Sequence, residues 1–230
     1  HDKVDIAFIG KYVANRDSYE SINEALLHGG IANRLKVQLH YIDSELLTEE
    51  NAVLQLENMD GILVAPGFGE RGTEGKIAAI KIARTQQLPF FGICLGMQMA
   101  IIEFARNVVG IEGANSGENR PDHPENVIDL MPEQSGHEET GGTMRLGSQT
   151  TVLKESSLIA KIYNKTTISE RHRHRYEVMN EFVPQFEEAG LSISGKHPER
   201  DLVETIELPE HPWFIGCQYH PELQSKPLKP

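Results

Sequence analysis

Gly92-Ile93-Cys94-Leu95-Gly96 joins an apolar run to a stretch in which Leu95, Met99 and Ile102 share one helical stripe. A nucleophile between two small residues at a strand-to-helix junction is the arrangement that permits a strained turn and lifts the reactive atom clear of a sheet. The spacing therefore predicts an exposed sulfur at a helix N-terminus, where free N–H groups and the helix dipole favour thiolate. A lone cysteine is more often a small core residue, but the flanking glycines overturn that reading. A thiol also needs a base and a group to orient it, and His220-Pro221-Glu222 follows the apolar run Trp213 to Tyr219. In extended backbone, positions i and i+2 point the same way, so Glu222 can lie beside His220 and fix its tautomer. Cys217 has no such context and reads as core.

Other patterns carry less. Gly67, Gly69 and Gly72 spell G-x-G-x-x-G, but no acidic residue stands in Leu88 to Gly92, where a ribose partner would be needed. A tight glycine turn whose N–H groups face a different ligand fits better than a dinucleotide site. No Walker A sequence is present. In Arg171-His172-Arg173-His174-Arg175, strand alternation sends the histidines to one face and the arginines to the other. No third ligand is near in sequence, so contacts to a substrate carboxylate or a domain interface are favoured over a metal. Met97 and Met99 read as helix packing, and the sequon at Asn164 has meaning only in a secreted chain.

The elements that must position these residues alternate. Strands over 4–10, 37–42, 61–65 and 89–93 are each followed by a helix, over 18–33, 48–58, 73–86 and 95–108. Such a series implies a largely parallel sheet with helices on both faces. Residues 110–142 turn to Gly, Asn, Pro and Glu, with one apolar piece at 127–131, and read as a long functional loop. Beyond it, strands over 143–153, 172–178, 191–196, 203–208 and 214–219, with a helix near 181–188, form a smaller mixed or antiparallel region. No repeat or linker breaks the chain, which reads as a single α/β domain over 1–230.

The 230 residues are 39% hydrophobic and 24% charged, enough for a core without staples, and the net charge of −12 disfavours nucleic acid and anionic membranes as partners. Two cysteines without regular spacing suggest neither a disulfide framework nor a cysteine-built zinc site, which fits a reducing, cytoplasmic setting. The sequence has no run of eighteen apolar residues, and its start, HDKVDIAFIG, lacks signal-peptide features. It reads as soluble and begins as an excised domain would.

With the elbow GICLGMQ, the late HPE and the glycine loop together, the sequence resembles the class I, triad-type glutamine amidotransferases. Within them, VAPGFGERGTEGKI, ANSGEN, VIDLMPEQ, GGTMRLG, ERHRHRYEV and QYHPELQSKPLKP resemble segments of the glutaminase domains of the CTP synthase family, from end to end. The resemblance implies that Cys94 attacks the side-chain amide of L-glutamine, that His220 moves protons and that Glu222 orients it. It implies an oxyanion hole at Gly67 and Leu95. It also implies substrate contacts at Gln98, at Glu118 for the α-ammonium, at the backbone of Arg175 and Tyr176 for the α-carboxylate, and at Phe68 beside the entrance. No cofactor or metal is expected in this domain; ATP, UTP, magnesium and GTP as activator are implied for a full-length, tetrameric enzyme whose synthase domain would precede His1. Three positions in two segments depart from the family. Ala65-Pro66-Gly67-Phe68-Gly69 replaces Pro-Gly-Gly-Phe-Gly, and Gly117 replaces a threonine, a change expected to loosen the substrate loop. A related cysteine peptidase would share the elbow without needing Gln98, Glu118 and HPE together, and a non-catalytic module would have lost part of the triad.

Overall fold

The computed structural model describes residues 3–11, 13, 16–131 and 144–230. Strand β1 (Lys3–Gly10), helix α1 (Glu20–Asn33), β2 (Lys36–Asp43), α2 (Glu49–Leu56), β3 (Gly61–Val64), α3 (Thr73–Thr85), β4 (Phe90–Ile93) and α4 (Leu95–Phe104) alternate as expected. β1 pairs in parallel with β2 and β3, and β3 with β4. The reason is visible residue by residue. Ala7, Ile9, Ile62 and Val64 face one apolar cluster with α2, α3 and α4, while Phe8, Leu63 and Ala65 face a second with Ile22 of α1. Strands apolar on both faces need helices on both faces. Thr48 opens α2 with a capping box, its hydroxyl accepting from the Asn51 N–H and the Asn51 side chain accepting from the Thr48 N–H. All ten residues of α4 are buried.

After α4 come β5 (Asn115–Ser116), β6 (Asn126–Asp129), β7 (Arg145–Leu153), α5 (Leu158–Tyr163), β8 (Thr167–His174), β9 (Glu177–Val178), α6 (Val183–Glu188), β10 (Ser192–Lys196), β11 (Val203–Glu207) and β12 (Phe214–Cys217). The mixed C-terminal strands continue the parallel ones in a single sheet of order β2-β1-β3-β4-β12-β11-β10-β7-β8, and β5-β6-β9 forms a second, three-stranded sheet. β12 is the junction, parallel to β4 and antiparallel to β11.

Three expectations change. The strand expected over 172–178 is two. β8 continues the edge of the large sheet, the chain leaves it at Arg175-Tyr176, and β9 pairs with β6 in the small sheet. The helix expected to run to Val108 closes as a π turn over Ala105–Val109. Residues 110–131 of the expected loop hold β5 and β6, while 132–142 lie outside the described residues. α5, too short to show a period, was marked only by its caps: Ser157 Oγ accepts from the Ala160 N–H, and Asn164 ends it at φ 51°. Among the described residues no helix is long and apolar enough to cross a membrane.

Candidate active site

Cys94 sits between β4 and α4 at φ 53°, ψ −105°, a backbone region that costs a side-chain-bearing residue on the order of 1–3 kcal/mol. The turn holds because its N–H donates to Cys217 O at 2.7 Å and its carbonyl accepts from Met97 and Gln98. Both elbow glycines are required by contact. A Cβ on Gly92 would lie 2.7 Å from the carbonyl carbon of Gly96, and one on Gly96 would lie 2.3 Å from Val64 O. The sulfur is not lifted to the open surface as expected: Cys94 is 3% exposed and lines a pocket of about 210 Å³ with Gly67, Phe68, Gln98, Glu118 and the Arg175-Tyr176 turn.

His220 Nδ1 donates to Glu222 Oε1 at 2.8 Å. The pair forms, but not along a strand: Pro221–Leu223 is a 3-10 turn that swings the carboxylate back onto the ring. The His220 N–H is fixed to Arg171 O at 2.8 Å, tying this residue to β8. Burial works against a charged ring here, yet the Cys94 sulfur and the Glu222 carboxylate outweigh it and push the His220 pKa up to about 10. Nε2 has no aligned hydrogen-bond partner, so Cys94 acts on it as a near neighbour, a looseness common before substrate arrives.

Gly67 and Leu95 are adjacent, a Cβ on Gly67 falling 3.5 Å from Leu95 Cδ2. The Leu95 N–H opens α4, where first-turn donors have no intrahelical acceptor. The glycine turn is held from below by two lysines. Lys11 Nζ donates to the carbonyls of Phe68 and Gly69, and fully buried Lys76 donates to Ala65 O at 3.2 Å. Burial, then the charge of Lys11, bring the Lys76 pKa down to about 7. Neither lysine was singled out from sequence, since nothing in its spacing refers to the turn.

The expected substrate contacts converge. Glu118 Oε1 accepts the Gly69 N–H at 2.7 Å, Gln98 Nε2 donates to Tyr176 O and to Gln218 Oε1 at 3.1 Å each, and Phe68 is half exposed at the rim. The Gly117 N–H donates to Ile128 O, and a Cβ there would meet Asp129 Oδ1 at 2.0 Å, so a threonine would require Asp129 to move. His174, in the segment expected to make substrate-carboxylate or interface contacts, also lines the pocket; sequence reasoning missed Met144, which lines it too, and Gln218. The i, i+2 rule applied to His220 would have pointed at Gln218.

His172 and His174 share one buried face as alternation predicts. Their nitrogens meet each other, 2.9 Å apart, and no group of three His, Cys, Asp or Glu among the described residues is arranged to hold a metal. Cys217 is core: fully buried, its Sγ donating to Tyr219 O, with burial and then the Glu222 charge pushing its pKa far up.

A model of the class-I glutamine amidotransferase family matches residues 15–230. CTP synthase of Geotalea uraniireducens is 54% identical over 230 residues, 100% of this chain and 43% of that protein. CTP synthase of Geobacter sulfurreducens is 55% identical over 228 residues, 99% of this chain and 42% of that protein. The chain thus spans less than half the length of these curated relatives. The solved glutaminase domain of Trypanosoma brucei CTPS with bound acivicin superposes with a TM-score of 0.93 at 40% identity, over 99% of this chain and 89% of that one.

Proposed function

Because the chain belongs to the class-I glutamine amidotransferase family, we propose that it hydrolyses L-glutamine through a Cys94 thioester and that the ammonia serves the amination of UTP to CTP. The observation that carries the reading is the buried His220–Glu222 pair acting on a cysteine held at a left-handed elbow over an amino-acid-sized pocket.

His220, its pKa raised to about 10, already holds on Nε2 the proton given up by Cys94, and the sulfur attacks the side-chain carboxamide carbon, so a C–S bond forms and the C=O π pair moves onto oxygen. The N–H groups of Gly67 and Leu95 receive that oxyanion. The imidazolium, kept charged beside Glu222, passes its proton to the amide nitrogen; the C–N bond breaks and ammonia leaves. Water, deprotonated by the same ring, then attacks the thioester, releasing glutamate and restoring the thiol. Glu118 supplies a carboxylate for the α-ammonium group, and the backbone at Arg175 and Tyr176 meets the α-carboxylate.

The 230 residues act as one glutaminase domain in the cytoplasm. ATP, UTP, magnesium and the activator GTP are assigned to a full-length tetramer whose synthase domain precedes His1, consistent with relatives more than twice this length. The test supplies glutamine, ATP, UTP and magnesium to this chain, then to a longer polypeptide carrying the synthase domain. Glutamate and free ammonia without CTP are expected from the chain, and glutamine-dependent CTP from the longer polypeptide. Absence of glutamate release in both overturns the glutaminase reading; CTP from the chain alone overturns the domain assignment.

A further inference from the structure

Behind the substrate pocket lies a row of buried polar groups that the chemistry above does not use. His172 and His174 sit on the inner face of β8, and Glu204 stands on β11. His174 Nδ1 is 3.1 Å from Tyr176 O, the carbonyl that also accepts Gln98 Nε2, and 3.4 Å from Glu177 Oε1. His174 Nε2 is 2.9 Å from His172 Nδ1. His172 Nε2 is 3.6 Å from Glu204 Oε2, just beyond hydrogen-bond length, and both atoms are buried with no other partner.

Only one set of proton positions satisfies the row. A carbonyl only accepts, so His174 Nδ1 carries a hydrogen. Burial, followed by the Arg145 charge, holds both rings neutral, His172 down to about 3, so each has a single N–H. His174 Nε2 is therefore an acceptor, His172 Nδ1 is its donor, and His172 Nε2 is bare. The hydrogen that satisfies both orphaned atoms must stand on Glu204. Its other oxygen accepts Arg145 Nη2 at 2.5 Å, and burial raises its pKa to about 7 despite that partner.

We propose that Glu204, His172 and His174 form a one-directional polar relay, two hydrogen bonds through the histidines and a 3.6 Å contact at Glu204 that closes to a third when its carboxyl is protonated, which sets the Tyr176 carbonyl and so positions the Arg175-Tyr176 turn for the α-carboxylate of glutamine. The proposal rests on the glutaminase reading of the pocket. The three are positioning residues: only His174 reaches the pocket, and none touches the reacting atoms. Removing the Glu204 proton leaves no arrangement without two bare acceptors face to face, either His172 with Glu204, or His174 with His172, or His174 with Tyr176 O. The charged and titrating groups around the row are Arg145 on β7, Glu177 on β9, His197 and Arg200 near β10 and β11, and His220 beyond β12. Glu177, its pKa pushed up to about 8 by burial, keeps both oxygens on Arg145 Nη1 and lies at the His174 end of the row, 3.4 Å from His174 Nδ1, so it does not replace Glu204 as donor to His172.

Imidazole ¹⁵N spectra of the chain at pH 6 should show His172 and His174 both as Nδ1–H tautomers; an Nε2–H or doubly protonated ring at either position overturns the relay. Glutamine affinity, measured by calorimetry on the Cys94→Ala background, should weaken about fivefold between pH 6 and pH 8.5 as one hydrogen bond is lost. Glu204→Gln, whose amide donates to His172 and accepts from Arg145, should remove that loss. His172→Leu should weaken binding by a similar factor at every pH. Superposable pH curves for the Cys94→Ala chain with and without Glu204→Gln refute the relay, whatever the folding of His172→Leu. Failure of the unsubstituted chain to release glutamate counts against the glutaminase reading instead, and the tautomers still judge the relay.

Discussion

Gln218 places its side-chain Nε2 3.7 Å from Cys94 Sγ while its Oε1 accepts the amide of Gln98. Cys94 and a pocket-lining residue are thus held by one buried amide, whose N–H is aimed at the sulfur. Gln218→Leu removes both bonds. A loss of about tenfold in kcat/KM is expected, the scale of one charge-assisted hydrogen bond. Steady-state glutamine hydrolysis, with the alkylation rate of Cys94 by iodoacetamide as companion, checks it; unchanged values for both would remove Gln218 from the site.

A glutamine-like chloroketone should label Cys94 and spare Cys217. Cys94 opens on the pocket and has His220 beside it, whereas Cys217 is fully buried with its thiol pKa far above the ordinary value. Peptide mapping decides the matter, and labelling that survives Cys94→Ser would sink the assignment.

Glu222→Gln should lower kcat about a hundredfold or more, since the amide neither fixes the Nδ1–H tautomer nor stabilises the imidazolium. The same change has a sign in stability. The His220 pKa is raised from 6.5 to about 10 in the fold, so its contribution is complete below pH 6.5 and is lost as pH rises through 10. Denaturation midpoints of the unsubstituted protein should fall across that window more steeply than those of Glu222→Gln. Parallel curves would show that the carboxylate does not hold the charge.

Gly67→Pro should cut glutamine turnover on the order of a hundredfold by deleting one oxyanion N–H. The neighbouring Pro66 already lacks an N–H, so the turn tolerates proline next door. Circular dichroism should be unchanged, and near-normal turnover would place the donor elsewhere.

What the sequence made legible was local. The elbow could be read because glycine, cysteine and glycine at fixed spacing have one geometric use, and the alternating strands because β1, β3 and β4 are apolar on both faces. The His220–Glu222 pair was legible as a pair but not in its geometry, since a 3-10 turn brings together what a strand was expected to align. His172 and His174 could be placed on one face, yet their partners Glu204 and Tyr176 arrive from a different strand and from the turn between two sheets. Lys11 and Lys76 stand on separate elements, and only the folded chain brings them under the same glycine turn.

β12 follows every other strand in the chain, yet it fills the gap between β4 and β11. Cys94 takes its backbone anchor from Cys217 on that strand, and His220 lies three residues further on. A partly folded polypeptide, whether emerging from a ribosome or recovering from denaturant, therefore carries a cysteine with neither its strained turn nor its imidazole. Pairings of such wide sequence separation form late. Meeting of Cys94 with His220 and completion of the sheet are then the same event.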